Sequence, residues 1–256
     1  MQYFVKKDSV VRSIWGKSDT ILFIFAGAAA EFALNKAVDW LYFTGKLPSD
    51  PLGRLFSTVR YARMIVFATE NDANNSIDTL RKIHNTVEQN RGAIIPDWAY
   101  RDVLFMLIHY SIASYELLEK KLSEAEREEV YNVFYRVGTR MGLKDLPDNY
   151  EKWLPERESH LQQDLQKSLL TTDLFKQYKK HLGFMRFKVL IEGQKLVCPY
   201  RVKKLLHFSD FSLLTPFVPV YKVSRLMKLD WLLKSVLLPS DYKDQINELN
   251  IHPDKD

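Results

Sequence analysis

The sequence predicts an all-α fold, a single globin-like multi-helix domain, from three observations. Apolar residues recur at helical spacing over long runs, and glycine (9) and proline (10) are scarce in 256 residues. Residues that start and stop helices also fall at the ends of those runs. The frequent glycine- and proline-rich turns of a sandwich or barrel are missing. No linker is long or biased enough to divide the chain, so one helical domain over 1–256 is expected, with a polar tail at 239–256.

The elements follow in order. Ser18 and Asp19 can cap a helix running to about Phe43, where Gly45 and Pro48 stop it. Asp50 followed by Pro51 opens a second helix, to about Phe67, with proline at the first helical position. From Asn71 to Gln89, Ala73, Ile77, Leu80, His84 and Val87 share one face, and Gly92 ends the helix. Pro96 opens a fourth helix, apolar nearly all round between Val103 and Leu118, as a buried helix is. Ser123 and Glu126 form a capping box for a fifth that ends at Gly142. Residues 157–170 read as an amphipathic helix, and Thr172 to His181 as another, closed by Gly183. Residues 186–197 fit either a short hairpin about Glu192 and Gly193 or a short helix. Two more helices are expected near Val202 to Phe208 and Tyr221 to Leu238.

Composition bounds the function. Hydrophobic residues (46%) and charged residues (27%) sit near globular averages, which excludes disordered and fibrous classes. The net charge of +5 is a mild excess of mixed surface charge; it fits an anionic partner without pointing to nucleic acid. The single cysteine, Cys198, excludes an intramolecular disulfide framework and a cysteine-rich zinc site, and reads as buried and inert. The longest apolar run, Ile21 to Ala30, is far short of the ~20 residues that cross a bilayer. It imitates a signal sequence, with Ala28, Ala29 and Ala30 as a small-residue cleavage site. Asp19 and the continuing helical pattern favour a buried helix instead. A cytoplasmic protein, with peripheral membrane contact an option, is the expectation.

Motif absences narrow the chemistry. The chain has no G-x-G dinucleotide fingerprint, phosphate loop, G-x-S-x-G or H-E-x-x-H. No histidine has a glutamate three residues before it, so the paired Glu-x-x-His sites of a di-iron bundle are absent too. What remains is an interaction protein, or a helical protein that takes its chemistry from a bound cofactor.

Five stretches then carry a resemblance: SDTILFIFAGAAAEFAL near the start, DPLGRLFSTVRYARMIVFAT (50–69), RKIHNTVEQNRG (81–92), the helix pair of 100–150, and LTPFVPVYKVSRLMKLDW. Together, over about residues 18–232, they resemble the MpaB-type oxygenase family, which includes the latex-clearing protein, a rubber oxygenase. The resemblance implies an all-α haem-binding core that holds haem b (iron) and uses dioxygen. It also implies that Arg54 and Thr58 stand near the haem or the oxygen, and that His84 is the axial ligand. The residue before the threonine, a lysine in the rubber-cleaving branch, is Ser57 here, which counts against rubber itself as substrate.

The residues alone leave more than one role open. Arg54 and Thr58 stand at i and i+4 and share a helix face, where the arginine can clamp an anion or simply lie in an exposed first turn. His84 borders the stripe of Ile77, Leu80 and Val87, suited to ligation or to a satisfied core histidine. His109, in the most apolar helix, can be a distal base, a second axial ligand or a structural hydrogen-bonding residue. His160, His181, His207 and His252 read as surface residues. The basic, aromatic-studded stretch from Lys176 to Lys188 is a plain basic surface or a membrane contact. The expected function is a haem-dependent oxygenase of a hydrophobic small-molecule substrate, with a redox partner an option. A non-catalytic haem-binding or interaction protein on the same scaffold is the alternative.

Overall fold

A computed structural model describes residues 2–45 and 49–226. The architecture is all-α: among the described residues there is no strand, only the isolated bridges Tyr3–Thr69 and Asn35–Leu165. In chain order the helices are α1 (Val10–Trp15), α2 (Ser18–Phe32), α3 (Val38–Phe43), α4 (Pro51–Val66), α5 (Glu70–Arg91), α6 (Asp97–Leu118), α7 (Glu124–Met141), α8 (Tyr150–Gln163), α9 (Leu169–Val197), α10 (Tyr200–Leu206) and α11 (Phe217–Leu226). None of the described helices is long and apolar enough to cross a membrane.

Local chemistry sets most boundaries. The Asp50 side chain accepts from the Gly53 amide at the start of α4, with Pro51 at its first position. Thr69 caps α5, and Gly92 ends it in the left-handed region at φ 68°. The capping box of Ser123 and Glu126 starts α7, and Gly142 closes it at φ 91°.

The structure departs from three of the expected helix boundaries and decides one segment that was left open. The helix from Ser18 does not run to Phe43 but stops at Phe32, and α3 starts afresh at Val38. The break is made by Asn35: its side-chain oxygen accepts from the Ala37 amide, and its NH₂ reaches Asp102 on α6. Residues 186–197 form no hairpin; they continue α9, which kinks at Gly183 (φ 73°, ψ 170°), a conformation open essentially to glycine alone. The amphipathic helix read at 157–170 lies earlier, as α8 from Tyr150 to Gln163, with Ser168 capping α9. The helix from Tyr221 begins instead at Phe217, and its expected end, with the 239–256 tail, lies outside the described residues.

The core is built round α6, which packs on α2, α7, α8 and α9. One large buried cluster includes Trp15, Ile24, Phe105, Tyr110, Tyr131 and Trp153, and a smaller one gathers Ala33, Val38, Leu174 and Tyr178. α2 crosses α6 closely because Gly27 presents no side chain to the Tyr110 ring. The apolar run Ile21 to Ala30 is part of this crossing, with Ile21, Ile24, Phe25 and Ala30 buried. The helices α4 and α5 pack against each other at one side of this core.

Candidate functional site

Two of the expected site residues meet across α4 and α5. Arg54 lies in the first turn of α4, partly buried. His84 lies four turns into α5, its Nδ1 buried with no hydrogen-bond partner. Burial pushes the His84 imidazole below its usual pKa, and the nearby Arg54 guanidinium pushes it further, so the ring is neutral near pH 7. Burial also lowers Arg54, and among the described residues no carboxylate forms an ion pair with it. Thr58, the third expected member, donates its hydroxyl to the Arg54 carbonyl at 3.1 Å, and Ser57 does the same at 2.7 Å. Both hydroxyls are therefore bonded to their own helix.

The His84 ring is held from the other side by α6. Tyr100 meets it edge-on with ring centroids 5.2 Å apart. The Tyr100 hydroxyl donates to Glu88 Oε1 at 3.2 Å, and the same oxygen accepts from the Ile95 amide at 2.9 Å. Glu88 stands one turn beyond His84, so α5 supplies both the imidazole and the anchor for the ring that orients it.

His109 does not join this pair. Tyr100 marks the face of α6 that meets His84; nine residues further on, His109 points about half a turn away and about 13 Å along the axis. It faces the Val197 carbonyl, and its Nε2 is buried without a partner. Burial, then the charge of Arg157, lower its pKa to about 4. Its surroundings are the centre of the molecule. Glu31 (1% exposed) takes both arms of the Arg157 guanidinium at 2.6 and 2.5 Å and the Tyr110 hydroxyl at 2.8 Å. Cys198 is buried there as expected, its thiol pushed up to about 12 chiefly by burial.

His160, read as a surface residue, is instead buried against the N-terminal part of α6, which corrects that expectation. Its Nδ1 lies 2.7 Å from Asp102 Oδ1 and 2.8 Å from Asp164 Oδ2. The signals were an aspartate inside the apolar helix α6 and the i, i+4 spacing of His160 and Asp164 beside Leu161. Only tertiary structure brings them together. Glu31 and Arg157, 126 residues apart, were missed for the same reason.

A cleft of about 890 Å³ lies between α5 and α7, with the charged residues Asp78, Arg81, Lys82, Arg136 and Arg140 in its lining beside Phe4 and Tyr135. Arg54, Thr58 and His84 are not among its lining residues.

Fold and site together define an all-α protein with two buried imidazoles of lowered pKa, one of them beside a partly buried arginine. More specifically, residues 15–190 match the family model described as "ER-bound oxygenase mpaB/B'/Rubber oxygenase, catalytic domain", and the chain belongs to that family. No curated protein and no solved structure matches it. The family match spans α2 to most of α9 and so contains Arg54, Thr58, His84 and His109.

Proposed function

We propose that the protein is a haem-b-dependent oxygenase of a hydrophobic organic substrate, with His84 as the axial ligand. The observation that supports this reading is the pairing, on adjacent helices, of a buried ring nitrogen without a partner and a half-buried arginine without a carboxylate. A neutral imidazole is the form that ligates iron, and a guanidinium fork is the natural partner of a propionate carboxylate. An imidazole for the iron and a guanidinium for a propionate are two of the contacts a haem needs.

In this scheme His84 would hold the iron, and the edge-on Tyr100 ring, tethered to Glu88, would fix the imidazole plane. Arg54 neutralises a carboxylate at the cofactor's edge and keeps the nearby imidazole unprotonated. Thr58 can turn its hydroxyl from the Arg54 carbonyl toward a bound polar atom at the cost of one weak bond. Haem supplies the dioxygen chemistry when bound; the chain contributes ligation, orientation and charge.

The test is the visible spectrum of the purified protein, ferric and dithionite-reduced, before and after hemin addition. Wild type and His109→Ala should show a Soret band that shifts on reduction. His84→Ala should lose it, and Arg54→Ala should bind hemin more weakly. A folded protein that neither carries nor takes up hemin, or a His84→Ala spectrum identical to wild type, overturns the proposal.

A further inference from the structure

We propose that Asp102, His160 and Asp164 form a binding site for one divalent cation of the first transition row, distinct from the Arg54–His84 pair. The ligand atoms come from α6, from the last turn of α8 and from the residue that caps α8, and all three lie within 4.8 Å of one another. Asp102 is 2% exposed and His160 9%. Their facing atoms, Asp102 Oδ1 and His160 Nδ1, are 2.7 Å apart, yet neither is in hydrogen-bond alignment with any partner. With Asp164 Oδ2 on the same nitrogen, these buried atoms form a compact set of three ligand atoms that a single cation could engage.

The spacing suits a metal. A cation about 2.1 Å from each ligand atom, set in the 2.7 and 2.8 Å gaps about Nδ1, would see cis angles of about 80–84°. That is the angle range of an octahedral centre with part of its shell left to water. One imidazole nitrogen with two carboxylate oxygens suits Mn²⁺, Fe²⁺ or Zn²⁺ better than calcium, which prefers an all-oxygen shell, or Cu⁺, which prefers sulfur. Asp164, with 17% of its side chain exposed, lies on the solvent side, where the cation would enter and keep its waters.

The surroundings are those of an oriented ligand set. Asn35 donates to the second oxygen of Asp102 at 2.5 Å and is itself fixed by the Ala37 amide, so the carboxylate plane is set before any ion arrives. Phe105 meets the His160 ring edge-on at 5.2 Å and restricts its rotation. Charge points the same way. Glu31 and Arg157 neutralise each other nearby, leaving two carboxylates around a single imidazole in a mostly buried volume.

The experiment uses the full chain, stripped with EDTA and desalted, titrated with ZnCl₂ and with MnCl₂ by calorimetry, with melting temperature followed in parallel. One equivalent should bind and raise the melting temperature. Asp164→Asn and His160→Gln should each weaken that binding at least tenfold, and Asn35→Ala, which touches no ion, roughly 10–100-fold through misorientation of Asp102. Absence of one-equivalent binding by either metal overturns the proposal, as does binding unchanged in Asp164→Asn. Should the buried His160→Gln variant fail to fold, Asp164→Asn at the exposed rim still decides. The hemin spectrum reads the other site, so failure here leaves the His84 assignment standing, and the reverse holds.

Discussion

Replacing Arg157 by methionine tests the buried centre of the fold. The guanidinium makes two charge-assisted bonds to Glu31, at 2.6 and 2.5 Å, and the two side chains are 5% and 1% exposed. Burial opposes the charge on Arg157, but the Glu31 carboxylate more than offsets it and holds the arginine above its ordinary pKa. Methionine fills the space of the aliphatic stem and leaves Glu31 with one donor, the Tyr110 hydroxyl at 2.8 Å. A buried pair broken on one side costs about 3–5 kcal/mol, which for a chain of this size lowers the melting temperature by roughly 10 °C. Glu31→Gln strands the arginine and should cost about as much. The Glu31→Gln/Arg157→Met double variant keeps an acceptor for Tyr110 and orphans only one amide, so it should lose only about 1–3 kcal/mol. The measurement is urea unfolding of all four proteins followed by circular dichroism, read as a double-mutant cycle. Single losses under about 1 kcal/mol that add up in the double variant would show the pair to be solvated and the reasoning wrong.

Other outcomes follow from the same centre. Gly27→Ala drives a methyl into the Tyr110 ring and should destabilise by about 1–3 kcal/mol, measured by the same urea titration; a silent substitution would mean α2 slides freely on α6. Cys198, its thiol pushed up to about 12 by burial, should resist Ellman's reagent at pH 8 in the native protein and react promptly in guanidinium; fast native labelling refutes its burial. His109 is held down to about 4, so the unfolded chain takes up its proton near 6.5 while the native one does not. Stability should therefore fall by about 3 kcal/mol as pH drops from 7 to 4, and His109→Gln should flatten that limb of a pH series of urea midpoints.

What could be read from sequence was local. Ser123 with Glu126, Asp50 with Pro51, and the glycines at 92 and 142 act within a few residues of where they stand, and the helices they bound form as expected. Arg54 and His84 were singled out by the family resemblance alone, and the structure places them near enough for one to shift the other's pKa. Three features that were misjudged or left open depend on distant partners. Asn35 breaks a continuous helical pattern because Asp102 lies across from it. His160 looked exposed among the polar residues of α8, yet Asp102 and Phe105 on α6 cover it. Residues 186–197 alternate like a strand, but Gly193 packs toward Phe23 of α2, and the segment stays helical with its kink moved back to Gly183.

The 126-residue separation of Glu31 and Arg157 also has a kinetic meaning. While the chain is being made, the apolar face of α2 and the carboxylate at its end emerge first, and their partner follows only after α8 has been synthesised. At about 5–20 residues per second that interval is roughly 6–25 s, far longer than a helix takes to form. Through it the nascent chain exposes the surface that later becomes its centre. A chaperone that shields residues 18–33, or a pause that delays release until α8 has docked, would therefore protect that surface during the interval.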